Sequence, residues 1–354
     1  MSSSHPAHPA PARSIVRDAI ATLADGGSLT DAHAAEVFAV VMRGEATPAQ
    51  IAALLMGLRV KGETADEVAG AARALRAAML RVEAQGAHLV DTCGTGGGAV
   101  PTFNISTAAA FVAAGAGAAV AKHGNRSFTS KCGSADVLEA LGVRISLDAD
   151  DAARVLREAC ITFLFAPNFH PAMKHAAPVR RELAVSSVMN LLGPLANPAG
   201  VRRQILGVAD RRRAPLMAAA LARLGVDHAW VVHGRIGMDE IAPHGISDVW
   251  EVRPDGVTEW QLDPARYGLG SGDIGALAGG EPADNAARIE RLLADGRNDT
   301  AGSAALLLNA GAAIYVAGVA SSYEDGIARA GDAMRTGAGH AALERLRRAT
   351  STSG

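Results

Sequence analysis

The alternation of short apolar runs with helical patterns after residue 88 constrains the fold of this chain more than any other feature. The runs are rich in Val, Ile, Leu and Phe and have the length of strands, and stretches with helical periodicity separate them. Strands that alternate with helices form a parallel sheet covered by helices. The predicted strands of this kind are 88–92, 118–122, 143–145, 161–165, 204–208 and 229–233.

The pattern changes after residue 237. Two shorter runs, 248–252 and 258–262, are predicted as antiparallel strands, and residues 303–334 are predicted to return to helix. The sequence therefore predicts the α/β class for this region, with a mostly parallel central sheet flanked by helices.

The first 80 residues have helical periodicity and clear helix start signals. Thr47 and Thr64 are predicted N-caps, and Gln50 and Glu67 stand three residues later, where they complete capping boxes. Pro48 occupies the first helical position, which proline favours. This part of the chain is therefore predicted to be a small bundle of short helices.

The length of 354 residues favours two domains. We expect a disordered tail over 1–12 and a small helical domain over 13–84. Residues 180–202 also look helical and lack a strand partner, so we expect them to join the helical domain. The large α/β domain is then discontinuous, comprising 85–179 and 203–350.

Composition argues against nucleic-acid and membrane partners. The formal net charge is −2 and the basic residues are scattered, so the chain has no electrostatic footprint for nucleic acid or an anionic membrane. The longest apolar stretches, 108–121 and 304–320, contain glycines and are shorter than the roughly 20 residues that span a bilayer. We predict that both are buried core and that the partner is a small molecule.

The remaining compositional signals favour a reducing cytoplasm. Three cysteines, Cys93, Cys132 and Cys160, are too few for a disulfide framework and lack metal-ligand spacing. The first twelve residues, "MSSSHPAHPAPA", lack the apolar core of a signal peptide.

A glycine-rich segment follows the first predicted strand. Residues 93–107 read "CGTGGGAVPTFNIST", so bare backbone is followed by Asn104, Ser106 and Thr107 at the start of a predicted helix. Glycine amides approach a phosphate closely because no Cβ intervenes, and a helix N-terminus stabilises an anion by about 0.3–1 kcal/mol. The segment is predicted to cradle a phosphate group.

A second polar loop, "KHGNRSFTSKCGS", follows the next strand. It carries several cations and hydroxyls: Lys122, His123, Asn125, Arg126, Ser127, Ser130, Lys131 and Ser134. In an open parallel sheet ligands bind where the carboxyl ends of the strands meet, so the two loops should share one site. Cations beside a phosphate loop suit a ligand with several negative groups.

Other candidate residues lie further along the chain. Asp239 and Glu240 are adjacent carboxylates after the strand at 229–233 and suit Mg²⁺, which bridges protein carboxylates to substrate phosphates. Arg180 is a candidate partner for a substrate carboxylate. His170 is a candidate substrate contact, whereas His175 is better explained as a packed or capping residue.

Several motifs occur in one order along the chain: "GTGG" with "TFNIST", "KHGNR" with "GSADVLEALG", "FHPAMK" with "PVRREL", "NLLGPLANP", "DE" and "LNAGAAIYVAG". In this order they resemble the anthranilate phosphoribosyltransferase family over nearly the whole chain. The resemblance implies a nucleoside phosphorylase/phosphoribosyltransferase-like fold, with a small helical domain, a large α/β domain and a site between them. It also implies a Mg²⁺-dependent homodimer, formed through the helical domain, that transfers the phosphoribosyl group of 5-phosphoribosyl diphosphate to anthranilate in tryptophan synthesis.

The resemblance implies three sets of site residues at the positions that match the family's motifs. The set for 5-phosphoribosyl diphosphate is Gly94, Gly97, Gly98, Thr102, Asn104, Ile105, Ser106, Thr107, Lys122, His123, Gly124, Asn125, Arg126, Ser127, Phe128, Thr129, Ser130 and Ser134. The set for anthranilate is Gly94, Asn125, Arg180 and His170. The set for Mg²⁺ is Ser106, Asp239 and Glu240.

The chain departs from the family's pattern at three places. The family reads "GTGGDG" where this chain has "GTGGGA", so a carboxylate near the diphosphate is missing at Gly98. The family's "LGxRT" is "LAVSS" here, and a serine is usual where Cys132 stands. The positions changed in the "LAVSS" segment are Ala184, Ser186 and Ser187.

Two other functions stay open from the residues alone. One is a transferase or phosphorylase of the same fold with another acceptor, and the other is a non-catalytic paralogue that binds nucleic acid. The sequence contains no readable Ser-His-Asp or Cys-His arrangement, so no residue is assigned as a general acid or base. The chemistry predicted is positioning and electrostatic stabilisation.

Overall fold

The computed structural model describes residues 11–84, 86, 88–127, 131–270, 272–295 and 298–351. The chain divides into two compact units, one formed by the chain up to Met79 with His170–Leu192 and the other by Leu80–Phe169 with the chain from Gly193 onward. The segment that joins the helical unit thus begins and ends ten residues earlier than the predicted 180–202. The first helix begins at Pro11, within the predicted tail, whose first ten residues lie outside the described part of the chain.

The elements are numbered here in chain order over the described residues. The helices are α1 Pro11–Ala24, α2 Asp31–Met42, α3 Pro48–Lys61, α4 Ala65–Ala78, α5 Ile105–Gly115, α6 Ser134–Ala140, α7 Ala149–Ala159, α8 Ala166–Phe169, α9 Ala177–Leu183, α10 Met189–Leu192, α11 Ala214–Arg223, α12 Pro282–Ala294, α13 Thr300–Ala317, α14 Tyr323–Arg335 and α15 Ala338–Ser351. The strands are β1 Leu89–Gly94, β2 Ala119–Gly124, β3 Ile161–Phe165, β4 Arg203–Gly207, β5 His228–Gly234, β6 Ser247–Arg253 and β7 Gly256–Leu262.

Capping boxes begin two helices of the first unit, as predicted. The Thr47 hydroxyl accepts the Gln50 N–H at 3.3 Å, and the Gln50 side chain accepts the Thr47 N–H at 3.0 Å. Thr64 and Glu67 form the same pair at the start of α4. The buried Glu67 carboxylate also accepts the Leu29 N–H, so this cap ties α4 to the loop before α2.

The second unit is built on one seven-stranded sheet with the order β3-β2-β1-β4-β5-β6-β7. The first five strands in this order are parallel, and β6 and β7 pair antiparallel. Helices α5 and α13 pack against β1, and α11 packs against β5. The predicted fold class and mostly parallel sheet are therefore confirmed.

One predicted strand is wrong. Residues 143–145 form no strand and lie in the connection between α6 and α7. Val143 and Ile145 are buried in the hydrophobic core even though they do not pair with a strand. Their apolar alternation therefore reflects packing and not sheet pairing.

Two predicted helical stretches are interrupted in the structure. The stretch 303–334 divides at Gly318, which ends α13 with a φ of 79°. Most of α13 is buried, although its length and composition are those of a helix able to span a membrane. The stretch 180–202 contains the end of α9 and the short helix α10, which are separate because Ala184 adopts the left-handed conformation and ends α9.

Candidate functional site

The glycine segment after β1 forms a loop that lies on the chain following β5. Gly96 and Gly97 have φ values of +67° and +80°, a left-handed conformation that favours glycine. The Gly96 N–H donates to Asp239 Oδ2 at 2.9 Å, and the Ala99 N–H donates to the Gly237 carbonyl at 2.9 Å. The loop is therefore anchored beside the predicted metal-binding pair.

Three glycines lie close to Asp239, namely Gly94, Gly98 and Gly207, and there is little space for a side chain at any of these positions. A Cβ added at Gly207 would lie 1.6 Å from the Asp239 carbonyl oxygen, and one at Gly94 would lie 2.6 Å from Asp239 Oδ2. At Gly98 a Cβ would lie 3.0 Å from the Gly237 carbonyl oxygen and 3.3 Å from Asp239 Oδ1. The carboxylate that the family carries at position 98 would thus begin directly beside Asp239.

Asp239 and Glu240 form a pair of adjacent, partly buried carboxylates. Burial raises the pKa of both groups, and the neighbouring Asp239 charge raises the pKa of Glu240 further. The Thr102 hydroxyl hydrogen-bonds Glu240, but Glu240 Oε2 is shielded from solvent and has no hydrogen-bond partner among the described residues. Two carboxylates with an unsatisfied buried oxygen have the chemistry that a hard divalent cation needs.

The number of carboxylates at this position is small for a metal site made by the protein alone. Among the described residues no group of three or more His, Cys, Asp or Glu side chains could hold a metal ion. This fits Mg²⁺, which keeps several waters and is bound by one or two carboxylates together with substrate phosphates.

Lys122 lies beneath the loops at the carboxyl end of β2. Its ammonium group is buried and donates to the Thr92 carbonyl and, at 3.2 Å, to Ser106 Oγ. Burial lowers the pKa of Lys122, while the nearby Asp91 and other acidic groups oppose this shift. The chain therefore places a cation next to the hydroxyl at the start of α5.

The residues that begin α5 have different surroundings. Asn104 makes no capping hydrogen bond. Its Nδ2 donates to the Cys132 carbonyl at 3.1 Å and its Oδ1 accepts from Asn285 Nδ2 at 3.0 Å. Ile105 and Thr107 are buried, whereas Ser106 is partly exposed.

The second loop is fastened by Asp136 on α6. Asp136 accepts the N–H groups of Ser127 and Gly133 and pairs with Arg126 at 2.9 Å. Arg126 also pairs with Glu139 at 2.6 Å. Two carboxylates therefore already balance the positive charge of Arg126, which the sequence predicts to face a phosphate group. Phe128, Thr129 and Ser130 lie outside the described residues.

The rest of this loop is closely packed. A Cβ at Gly124 would lie 2.3 Å from Ser134 Oγ, and that hydroxyl donates to the Asn125 carbonyl at 3.3 Å. The exposed Lys131 pairs with Glu281 at 3.4 Å. The backbone of the loop is thus held by Ser134 on one side and Asp136 on the other.

Sequence reasoning missed Asp91, a fully buried carboxylate in β1. It accepts the His123 N–H at 3.1 Å and a hydrogen bond from Asn197 Nδ2 at 2.8 Å. Burial raises the pKa of Asp91 to about 6, although Lys122 and these hydrogen bonds act against the shift. A single carboxylate inside an apolar strand is the signal that could have identified it.

The other candidate residues belong to the helical unit. Arg180 on α9 is partly buried, which lowers its pKa, and no carboxylate pairs with it among the residues described. His170 is buried at the start of a short 3₁₀ turn over Pro171–His175. His175 packs against Gly44, which agrees with the prediction of a packing role.

Family models match both units. Residues 86–340 match the α/β domain of a glycosyl transferase family, and residues 17–79 match the helical bundle domain of a glycosyl transferase family.

Individual relatives match nearly the whole chain. Anthranilate phosphoribosyltransferase of Roseiflexus castenholzii is 49% identical over 338 residues, which are 94% of this chain and 97% of the relative. The crystal structure of anthranilate phosphoribosyltransferase from Thermus thermophilus has a TM-score of 0.89 at 42% identity and covers 95% of this chain and 100% of its own. The Saccharomyces cerevisiae enzyme in complex with PRPP and Mg has a TM-score of 0.87 at 26% identity, covering 96% and 98%.

Proposed function

This chain belongs to the anthranilate phosphoribosyltransferase family, and we infer that it transfers the 5-phosphoribosyl group of 5-phosphoribosyl diphosphate to the amino group of anthranilate. The products are N-(5-phosphoribosyl)anthranilate and diphosphate, in a step of tryptophan biosynthesis. One observation in this chain carries the inference: the glycine loop, Lys122 and the Asp239–Glu240 pair meet at the carboxyl edge of one sheet.

The donor site is proposed at this edge. The amides of the glycine loop and the Ser106 hydroxyl face the diphosphate, and Lys122 supplies positive charge from below. Such donors are worth more in an enclosed site than in water, because water does not screen them. Arg126 is proposed to act indirectly, by holding its loop against α6 through Asp136 and Glu139.

Asp239 and Glu240, with Ser106, are proposed to hold Mg²⁺. Bound Mg²⁺ would neutralise charge on the diphosphate as it departs. The buried and unsatisfied Glu240 Oε2 supports this assignment, because a carboxylate oxygen without a partner is costly unless a ligand satisfies it.

The acceptor is proposed to bind through Arg180, with Gly94, Asn125 and His170 as further contacts. A partly buried guanidinium without a carboxylate partner among the described residues suits the carboxylate of anthranilate. The aromatic amine of anthranilate is already a nucleophile, so the chain needs no activating base. Well-oriented reactants gain as much as roughly 7–11 kcal/mol from positioning, which makes orientation the main task of these residues.

The function is tested by mixing the purified protein with anthranilate, 5-phosphoribosyl diphosphate and Mg²⁺ and following the loss of anthranilate fluorescence. Arg180→Ala should raise the KM for anthranilate at least tenfold, because it removes a charge-assisted contact of about 1.5–3 kcal/mol, and should leave the KM for the donor nearly unchanged. Arg181→Ala is the matched control, because Arg181 is exposed on the same helix.

Asp239→Asn should change the dependence of the rate on Mg²⁺ and leave the KM for anthranilate unchanged. Activity with a nucleobase or with phosphate and a nucleoside, but not with anthranilate, would replace this function by that of a transferase or phosphorylase with another acceptor.

We further propose a cytoplasmic homodimer formed through the helical unit. The side chain of Val60 on α3 is 80% exposed, which is unusual for a large apolar residue and suits a surface that a second copy covers. Light scattering should give the mass of two chains, and Val60→Glu should reduce it to that of one.

A further inference from the structure

The mostly apolar helix α13 carries a buried amide side chain. Asn309 is 5% exposed and stands in the "LNAGAAIYVAG" motif, for which the site described above has no use. A buried amide lowers stability unless its hydrogen bonds are made. The partners of Asn309 therefore indicate why the helix carries it.

Asn309 forms a two-way hydrogen-bonded clamp on Ile241. Its Oδ1 accepts the Ile241 N–H at 3.0 Å and its Nδ2 donates to the Ile241 carbonyl at 2.9 Å. Nδ2 also donates to the Ala305 carbonyl at 2.9 Å, one turn earlier on α13. The amide is thus fixed to its own helix and to both polar groups of one residue in another segment.

The clamp acts on the residue that follows the carboxylate pair. The Ile241 N–H belongs to the peptide group that joins Ile241 to Glu240, and a peptide group is planar. The same plane contains the carbonyl group of Glu240. A hydrogen bond to the Ile241 N–H therefore also restrains the orientation of the Glu240 carbonyl group. The next residue, Ala242, donates its N–H to Ser247 Oγ at 3.0 Å, so the chain is held beyond the clamp as well.

Asp239 and Glu240 need such a restraint because two adjacent carboxylates must point at the same ion. Ligands must be held within about 0.5 Å for productive metal binding, and side chains that pack rigidly against them provide this. The Gly96 N–H holds Asp239 from the loop side, and Thr102 holds Glu240. Asn309 supplies the corresponding restraint from the helix.

We propose that Asn309 is a positioning residue that sets the geometry of the Asp239–Glu240 pair for Mg²⁺ and the diphosphate. This rests on the proposed function, because it assumes that the pair binds the metal. If Asn309 only satisfied buried backbone groups, its loss would lower stability without changing the metal dependence.

The test compares Asn309→Ala and Asn309→Asp with Tyr323→Phe. Asn309→Asp keeps the size of the side chain and the oxygen that accepts the Ile241 N–H, but it loses the amide donor. Tyr323→Phe is the control, because the buried Tyr323 hydroxyl donates to the Leu308 carbonyl at 3.0 Å on the same helix and makes no hydrogen bond to Ile241. Thermal unfolding measures the loss of stability in each variant.

Calorimetric titration then measures the binding of 5-phosphoribosyl diphosphate at a series of Mg²⁺ concentrations. Both Asn309 variants should need at least tenfold more Mg²⁺ for half-maximal donor binding, with an unchanged KM for anthranilate, whereas Tyr323→Phe should bind as the wild type does. Hydrogen exchange of the peptide that contains Ile241 should be faster in Asn309→Ala, which loses the acceptor of the Ile241 N–H, and unchanged in Tyr323→Phe.

The outcomes separate this inference from the proposed function. If the wild type shows no Mg²⁺-dependent donor binding, the proposed function fails and the inference falls with it. If the wild type binds and the Asn309 variants keep its Mg²⁺ dependence, Asn309 has no positioning role. If neither variant folds, hydrogen exchange of the Ile241 N–H is measured in the wild type. Rapid exchange would show that the clamp does not exist. Slow exchange that becomes slower still when Mg²⁺ and the donor are added would support the positioning role.

Discussion

Ala184 adopts a backbone conformation that usually belongs to glycine. Its φ of 52° places it in the left-handed region at the end of α9, and only Cys160 shares this feature among the described residues other than glycine. For an L-residue this region costs about 1–2 kcal/mol relative to the right-handed one. The family's pattern has glycine here, so we expect this departure to lower the stability of the folded chain.

Ala184→Gly should therefore raise the free energy of unfolding by about 1 kcal/mol, after the greater freedom of glycine in the unfolded chain is subtracted. Urea denaturation measures the change. Ser186→Gly, at an exposed position without a positive φ, is the control and should give no gain. An equal gain at both positions would mean that the strain at Ala184 is not the cause.

Gly207 at the end of β4 shows the opposite situation, in which glycine is required by a close approach of two backbones. Gly207→Ala would place a Cβ 1.6 Å from the Asp239 carbonyl oxygen, so the strand or the carboxylate segment must move. We expect a loss of roughly 1–3 kcal/mol in stability together with weaker Mg²⁺-dependent donor binding. Gly272→Ala is the control, because no heavy atom lies within 4 Å of a Cβ added at Gly272. It should change neither the stability, measured by unfolding, nor the Mg²⁺-dependent donor binding, measured by calorimetry.

At the scale of elements, a buried carboxylate links β1 to the last residues of β2, where the second loop begins. Asp91 holds the His123 N–H and Asn197, so the start of the second loop depends on a residue inside the neighbouring strand. The register places Leu89 opposite Ala119 and Val90 opposite Val120, so Asp91 lies about level with Ala121, two residues before His123. The two loops of the donor site are thus fixed relative to each other by sheet pairing and by this carboxylate.

Asp91 should also make stability depend on pH. Burial raises its pKa in the folded protein to about 6, from the 3.8 that is ordinary for an aspartate, so the folded protein holds this proton more tightly than the unfolded chain does. The contribution of Asp91 to the free energy of unfolding is then most favourable below about pH 4. It decreases by about 3 kcal/mol as the pH rises from about 4 to above 6. Asp91→Asn lacks this dependence.

The free energy of unfolding of Asp91→Asn minus that of the wild type should consequently increase by up to about 3 kcal/mol between pH 4 and pH 7, because only the wild type loses stability over this range. Urea denaturation at a series of pH values measures it. A difference that stays constant with pH would show that the buried carboxyl has an ordinary pKa. The absolute difference at any one pH also contains the altered hydrogen bonds to His123 and Asn197.

At the scale of the whole molecule, the helical unit is made of two segments that are far apart in the sequence. His170–Leu192 returns to the unit formed by the first four helices, where α9 packs against α3 and α10 packs against α4. The second segment contributes buried apolar side chains such as Val179 and Met189. The first segment therefore contains only part of its own core.

A fragment of residues 11–79 should fail to unfold cooperatively, because α3 and α4 lose the helices that cover them. Joining 170–192 to this fragment through a flexible linker should restore a cooperative transition. Circular dichroism during heating measures both. A sharp transition of equal midpoint in the shorter fragment would show that the second segment is dispensable.

The sequence by itself determined the features that depend on nearby residues. The capping boxes at Thr47 and Thr64 and the types of most elements follow from spacing within a few residues, because local hydrogen bonds and periodicity act at short range. The glycine loop and the carboxylate pair could be predicted as neighbours, because the carboxyl ends of parallel strands meet at one edge. The error at 143–145 arose because buried residues alternate there without pairing.

Only the tertiary structure decided which partner each polar group takes. Gly96 and Asp239 are separated by 143 residues, and Ile241 and Asn309 by 68, so no local pattern could join them. From the sequence, Arg126 is expected to contact a phosphate group, but in the fold its guanidinium group pairs with Asp136 and Glu139. Buried polar groups must be satisfied wherever the fold places them, and the contacts that satisfy them exist only once distant segments have packed together.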